Sequence, residues 1–285
     1  MNKFNNIFTL SGFENMIEDG GLRTKKDSRI TSDFKPFFTI ITVVKNSPKS
    51  IEKTIKSVLS QKIDNFEYII IDGNSSDDTL KKIKEHNNNL NYWCCINDEG
   101  IYDAMNYGLK LAKGNIIGII NAGDIYASNA LSIVNDYFKK NEDLSFLFGT
   151  VERHYLENNT IVKTGFNRQR IKYNFDSQTC HSSGFFINSK TQKQIGLYDL
   201  RYKCSSDYDL FYKLLTNDKF NGVSTKKDEL IGVVESGGFS SKYGYWKHLI
   251  EETKIRINNK QGKLFILMIF INSIIKGCIK KLFKK

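Results

Sequence analysis

The chain has little of several things that mark common protein classes. Of its 285 residues only Pro36 and Pro48 are proline, so Pro-rich linkers are excluded. No self-similarity recurs at the periods of solenoids or propellers. Its five cysteines (Cys94, Cys95, Cys180, Cys204 and Cys278) are odd in number, and none is spaced C-x-x-C. Buried free thiols in a reducing compartment are therefore expected, not zinc ligands or a disulfide framework. The first 21 residues hold no continuous apolar run, so no secretory leader is expected there. Three phosphate or nucleophile signatures are also missing. There is no G-x-G-x-x-G after the first apolar run, no G-x-x-x-x-G-K-[ST] and no G-x-S-x-G, which disfavours a dinucleotide fold, a P-loop NTPase and a hydrolase elbow.

One further absence is local. From Thr253 to Lys285 there is no Asp or Glu, but nine residues are Lys or Arg. The net charge of +11 is therefore concentrated in this tail, and the other 252 residues are close to neutral. A basic groove through the fold is not indicated, and nucleic acid is not an expected partner. Within the tail, the eight apolar residues Leu264–Ile271 precede Asn272-Ser273 and a run of lysines. That run is shorter than the roughly 20 apolar residues a bilayer span needs. It suits an amphipathic basic helix lying in a membrane interface, with lysines toward anionic headgroups.

What is present is an alternation of strand and helix. Residues 37–44 (FFTIITVV) form a nearly continuous β-branched run, as in a strand covered on both faces. Ser47-Pro48 reads as N-cap and first helical residue, followed by Ile51, Ile55, Val58 and Leu59 on one face. Residues 67–72 (EYIIID) predict a second strand, 91–96 (NYWCCI) a third and 115–120 (NIIGII) a fourth. Helices are predicted over 79–85, from Ile101 to Ala112, and from about Ser128. Short connections between them argue for a parallel sheet with right-handed crossovers. Further strands are expected at 144–151 and 160–163, joined by a turn at Glu157-Asn158-Asn159, and at 181–188. Residues 1–36 read as a polar surface extension, or as a flap or anchor over the nucleotide or membrane side. Gly237-Gly238 reads as a flexible loop.

Three predicted strands end in acid, at Asp72, Asp98 and Asp124. Parallel strands end at one edge of a sheet, where open α/β folds bind their ligands. Carboxylates there suit a nucleotide held through Mg²⁺ or Mn²⁺, which share oxygen ligands with substrate phosphates. In Asn121-Ala122-Gly123-Asp124 the small residues leave room for a diphosphate, which makes Asp124 the best metal-ligand candidate. Asp72 and Asp98 read as acceptors for base or ribose groups. Asp207 lies in the first turn of a predicted helix after Ser205-Ser206, where it complements the helix dipole or acts as a general base. His181, in CHSSG, reads either as structural or as a metal or acceptor-site residue.

Several strings resemble family 2 glycosyltransferases, in particular a branch that builds colanic acid, capsules and O-antigens. They are TIITVVKN (39–46), YIIIDGNS (68–75), DEGIYDAMNYG (98–108), INAGDI (120–125), YDLRYK (198–203), SSDY (205–208) and GGFS (237–240), with GGLRTK (20–25) near the start. The resemblance implies a GT-A fold, Rossmann-like with a mostly parallel central sheet and flanking helices. It implies inverting transfer from a nucleotide diphosphate sugar, a UDP-sugar first among candidates. By position, Thr42, Asn46, Asp72 and Asp98 would form the nucleotide pocket, with Tyr102, Asn106, Asn121 and Asp124 completing the nucleotide-sugar site. Asp124, with His181, would stand at the metal position. Asp207 would be the base, and His181, Ser206 and Tyr208 would face the acceptor. Many relatives carry acids where this chain has Asn121 and Gly123.

The resulting expectation is an N-terminal extension over 1–36, a nucleotide-sugar half over 37–143, an acceptor and base half over 144–245, and a membrane-associating tail over 246–285. A lipid-linked glycan acceptor follows from a tail that holds the site near the cytoplasmic face of the inner membrane. The competing readings are a sugar-1-phosphate nucleotidyltransferase and a non-catalytic nucleotide-sugar-binding assembly protein.

Overall fold

The computed structural model describes residues 15–25, 35–155, 159–173, 181–235, 237–238 and 242–282. In chain order, β1 (Met16–Gly20) is followed by β2 (Phe38–Val44), α1 (Pro48–Leu59), β3 (Phe66–Asp72), α2 (Thr79–Glu85), β4 (Tyr92–Ile96), α3 (Ile101–Leu111), β5 (Ile116–Asn121), the short β6 (Ile125–Tyr126) and α4 (Ala130–Lys140). The second half holds β7 (Phe146–Phe148), β8 (Thr150–Tyr155), β9 (Asn159–Lys163), α5 (Arg168–Tyr173), β10 (Phe185–Asn188), α6 (Ser189–Ile195), α7 (Ser206–Thr216), β11 (Gly222–Ser224) and β12 (Leu230–Val234). It closes with α8 (Tyr245–Asn258) and α9 (Lys263–Leu282).

The main sheet has eight strands in the order β1-β4-β3-β2-β5-β10-β7-β11, and a smaller sheet has the order β6-β12-β8-β9. Strands β4, β3, β2 and β5 run parallel, as their uninterrupted apolar character demands. Alternate residues of one strand feed two separate cores. Ile41 and Val43 of β2 pack with Tyr102, Met105 and Leu109 of α3 and with residues of α7. Phe38, Ile40 and Val44 pack with Ile51, Ile55 and Val58 of α1 and Leu131 of α4. A sheet apolar on both faces can be satisfied only by helices on both faces, so the α/β sandwich follows from the strand composition. In register, Val44 lies opposite Asp72, Asp72 opposite Cys95, and Val43 opposite Asn121. The carboxyl ends of four strands are thereby level.

Several expectations need correction. The predicted strand over 144–151 is two strands in two sheets, broken at Gly149. A side chain there would come within 2.3 Å of Ile231, and the Gly149 amide donates to the Gly184 carbonyl at 2.7 Å. The chain uses this close approach to cross from β7 to β8. Residues 181–188 are not all strand: Ser182–Gly184 form a 3₁₀ turn, and pairing begins at Phe185. Residues 16–24 are not a loose extension or a flap. Strand β1 adds antiparallel to the edge of β4, and Arg23 forms an ion pair with the buried Glu67 at the amino edge, away from the cleft. The polar sequence MIEDG gave no strand signal, because an exposed edge strand needs no apolar face. Cys94, Cys95 and Cys204 are buried thiols, but Cys278 is exposed. Glu157, Asn158 and Cys180 lie outside the described residues.

Candidate active site

A cleft of about 950 Å³ opens at the level carboxyl edge of the sheet. Its floor is the stretch after β5. Gly123 takes a positive φ of 109°, which turns the chain so that the Asp124 amide donates to the Asn121 carbonyl at 3.1 Å. Thr54 of α1 fixes this turn from below: its hydroxyl donates to the Asp124 carbonyl at 2.8 Å and accepts the Gly123 amide at 2.9 Å. The Asp124 carboxylate, in a residue only 5% exposed, accepts from the Ser183 hydroxyl and stands 3.3 Å from His181 Nδ1. Burial pushes Asp124 up to about 7 and pushes His181 down to about 4. His181 is therefore a neutral imidazole at neutral pH, held also by Ser183 Oγ at 3.1 Å from Nδ1. Arg153, from β8, lines the same wall and is the cation that acts on both groups.

At the nucleotide end, Asn46 sits at φ 51°. Its side-chain oxygen accepts the Ser76 amide at 2.8 Å, which ties the cleft rim to the loop after β3. Asp98 accepts from the Gly100 amide at 3.1 Å and lies 3.9 Å from Lys45 Nζ. Burial raises its carboxyl, and Lys45 opposes that rise. Asn46, Asp98, Tyr102, Asn121 and Asp124 line the cleft, as do His181, Asp207 and Tyr208.

Four expected site residues do not line the cleft. Thr42 is fully buried and shares a 2.9 Å hydrogen bond with the Tyr68 hydroxyl. Asp72 is fully buried, and its carboxylate accepts both the amide (3.0 Å) and the hydroxyl (2.6 Å) of Ser75. Asn106 is spent on Tyr198, donating to its carbonyl at 2.9 Å and accepting its amide at 2.8 Å. Ser206 is 1% exposed beneath the start of α7. In each case the side chain is buried within the fold, a placement no motif spells out.

On the far wall, Asp207 lies in the first turn of α7. Its Oδ1 accepts the Tyr102 hydroxyl at 2.9 Å and the Tyr208 amide at 3.0 Å. Tyr102 was expected with the nucleotide sugar, yet its hydroxyl reaches across the cleft to the candidate base. Burial first, then the Asp207 charge, raises the Tyr102 phenol well above its usual range, so it stays protonated and donating. Its ring stacks on Tyr198 at 5.6 Å, and Asn106 holds Tyr198 in place. Sequence reasoning missed Lys45, Arg153 and Tyr198. Lys45 and Tyr198 stand inside quoted strings but were given no role, and Arg153 has no motif around it.

The metal position can be tested against the donors present. Asp124 supplies one carboxylate, and Asn121 Oδ1 is a buried acceptor with no hydrogen-bond partner, beside a neutral His181. No group of three or more His, Cys, Asp or Glu capable of holding a metal occurs among the described residues. This donor set fits a hard divalent cation that takes its remaining ligands from a diphosphate. It does not fit an all-protein cage.

A parallel-stranded α/β sandwich with its cleft at the carboxyl edge, a single acid after β5 and a second acid on a facing helix is the GT-A architecture of nucleotide-sugar transferases. Over residues 39–193 the sequence matches the profile of "Glycosyl transferase family 2", more than half of the chain. The chain belongs to this family and is a glycosyltransferase. It is 29% identical over 188 residues to a PGL/p-HBAD biosynthesis glycosyltransferase of Mycobacterium bovis, covering 64% of this chain and 71% of that one. It is 27% identical over 217 residues to the Escherichia coli UDP-Glc:alpha-D-GlcNAc-diphosphoundecaprenol beta-1,3-glucosyltransferase WfgD, covering 76% and 80%. Among solved structures it is similar in fold to residues 1–349 of S. aureus TarS in complex with UDP-GlcNAc. The TM-score is 0.62 at 16% identity, covering 83% of this chain and 71% of that one. The nucleotidyltransferase and assembly-protein readings give way to this family membership.

Proposed function

We propose that this enzyme transfers a sugar, with inversion, from a UDP-sugar to a hydroxyl of a lipid-linked glycan at the cytoplasmic face of the inner membrane, in surface polysaccharide synthesis. The observation that carries the reading is the pair of acids lining one cleft, Asp124 at the end of β5 and Asp207 at the start of α7. The diphosphate lies over Ala122-Gly123, where a Cβ on Gly123 would meet nothing nearer than 3.7 Å. Asp124, with Asn121 and His181, would hold a divalent cation, which when bound would supply charge neutralisation for the diphosphate. Lys45 and Arg153 add fixed positive charge on the same walls. Asp207 accepts the proton of the acceptor hydroxyl as that oxygen bonds to the anomeric carbon. The carbon–oxygen bond to the diphosphate breaks, and the electron pair leaves with the diphosphate. One displacement from the opposite face inverts the centre. Tyr102 and the Tyr208 amide hold Asp207 in the orientation this requires.

Membrane association is supported by the closing helices. No helix among the described residues is long and apolar enough to cross a membrane. Helix α9 nevertheless exposes Leu264, Leu267, Met268, Ile271 and Ile275, with Leu264 76% exposed, and its sequence carries lysines and no acid. An apolar face flanked by lysines lies in an anionic interface. The acceptor class rests on this placement and on the diphosphoundecaprenol-linked substrate in the name of WfgD.

Thermal denaturation with a panel of nucleotide sugars, with and without Mn²⁺, tests the donor assignment. The cognate donor raises the melting temperature, more so with Mn²⁺, by mass action on the native state. A panel in which no nucleotide sugar shifts the transition refutes it. Inversion is read from the anomeric configuration of the product by NMR.

A further inference from the structure

Helix α8 meets the segment that carries Asp207 through polar side chains, where a docked helix ordinarily presents apolar ones. His248, Glu251 and Ile255 share one face of α8, and Asn259 at the C-cap continues it. Only Ile255 of these is apolar. Glu251 is 8% exposed. Its Oε1 accepts the Lys203 amide at 2.9 Å, and its Oε2 accepts the Cys204 amide at 2.9 Å and the Cys204 thiol at 3.2 Å. Burial raises the Glu251 carboxyl, but the two amides outweigh it and hold the group below its usual range. The next residue, Ser205, stands at the N-cap of α7 yet makes no side-chain cap bond. Its hydroxyl lies 3.3 Å from His248 Nδ1 instead. On the other side of Asp207, the fully buried Arg256 donates from Nη2 to the Tyr208 hydroxyl at 2.7 Å. Asn259 Nδ2 donates to Asp209 Oδ1 at 2.8 Å.

The start of α7 is therefore set by another helix and not by its own N-cap. The contacts fall on residues 203–205 and 208–209 and bracket Asp207, whose carboxylate reaches across the cleft to Tyr102. A helix docked for stability alone is held at lower cost by apolar side chains, because buried charges lose their hydration. Hydrogen bonds to successive backbone amides add direction, which apolar contact does not. We propose that Glu251, assisted by Arg256, is a positioning residue for the transfer reaction: it fixes the backbone ahead of α7 so that the Asp207 carboxylate stands where the acceptor hydroxyl enters. This rests on the reading of Asp207 as the base. Glu252, not Glu251, lines the cleft, so Glu251 acts through the chain and not on a substrate.

The test uses the full-length protein and Glu251→Gln. The new side chain keeps one oxygen, and its NH₂ faces a backbone N–H, so one of the two amides loses its acceptor. Hydrogen exchange of the ligand-free protein is expected to quicken about tenfold at the amides of residues 203 and 204, with β2–β5 unchanged. Turnover is read as UDP release from UDP-glucose and from UDP-N-acetylglucosamine, with water as the acceptor, per site counted by titration with UDP and Mn²⁺. Expected is a fall of about 10–100-fold in kcat at unchanged donor KM, the size of effect a misplaced group gives. The deciding readout is the double variant with Asp207→Asn. If Glu251 acts through Asp207, its loss costs nothing further once the base is gone. Leu249→Ala, at a residue 3% exposed on the same helix, lowers the melting temperature and leaves kcat per site unchanged. Asn259→Ala, at a partly exposed residue, gives a smaller loss of the same kind and takes the place of Glu251→Gln should that variant not fold. Losses that multiply with Asp207→Asn, a kcat per site equal to wild type, or unchanged exchange at residues 203 and 204 overturn the proposal. Asp207→Asn at the wild-type rate removes the functional reading itself, whatever Glu251→Gln does.

Discussion

The sharpest consequence of the geometry concerns Asp207→Asn. The amide has nearly the same volume as the carboxylate. With its oxygen in the Oδ1 position it still accepts the Tyr102 hydroxyl and the Tyr208 amide, now at 2.9 and 3.0 Å. What it loses is the ability to take a proton. A positioned general base contributes roughly 10²–10⁴-fold, about 3–5 kcal/mol of barrier at 1.36 kcal/mol per tenfold. The expected result is a fall of that size in kcat, followed as nucleoside diphosphate release in the presence of acceptor. Donor binding is spared, because Asp207 stands across the cleft from Asp124. Donor at 100 times its Kd stabilises the native state by about 2.7 kcal/mol. A chain of this length unfolds with an entropy of about 0.6 kcal/mol/K, so that stabilisation raises the melting temperature by about 4–5 °C. Wild type and variant are expected to show the same rise. A variant that turns over at a near wild-type rate refutes the base assignment. A variant that loses the donor-induced rise places Asp207 in donor binding instead.

Two other perturbations separate the remaining parts. Asp124→Asn removes the carboxylate proposed to hold the metal. Lost supporting contacts alone cost 10–100-fold in metal affinity, so a lost ligand should cost more than about 100-fold, and the extra donor-induced thermal shift given by Mn²⁺ disappears. An unchanged Mn²⁺ titration would show that the cation is held elsewhere. Arg23→Met strands the Glu67 carboxylate, 1% exposed, with only its Thr39 and Lys113 donors. Breaking a buried pair costs about 3–5 kcal/mol, which lowers the melting temperature by about 5–8 °C. The double variant with Glu67→Gln recovers part of that loss, and a single variant as stable as wild type would show that the pair is not coupled to folding.

The parts of the fold that were legible in the sequence share one property: their pattern repeats along the chain. Strands β2, β3 and β5 are continuous apolar runs because both faces of the sheet are covered, and the α1 and α3 helices show one apolar face each. Asp124 and Asp207 were legible because each follows a recognisable break, a small-residue turn in one case and a helix start in the other. Strand β1 was not, since four of its five residues are exposed and its pairing is made by backbone atoms common to every residue. The split at Gly149 was not legible either, because it depends on Ile231, far along the chain.

The sequence alone determined the parallel strands β2, β3, β4 and β5 with the helices between them, and that acids gather at one edge of their sheet. The direction of each polar side chain was decided only in three dimensions. Asp72 and Asp98 end strands in the same way, yet Asp72 turns back onto Ser75 and Asp98 faces the cleft. Tyr102 was assigned to the sugar nucleotide through the resemblance, and in the fold it lines the cleft while its hydroxyl bonds to Asp207, 105 positions away. The physical reason is that hydrophobic periodicity is a property of neighbours along the chain. Satisfying a buried carboxylate or hydroxyl depends on which donors the finished fold brings within about 3 Å.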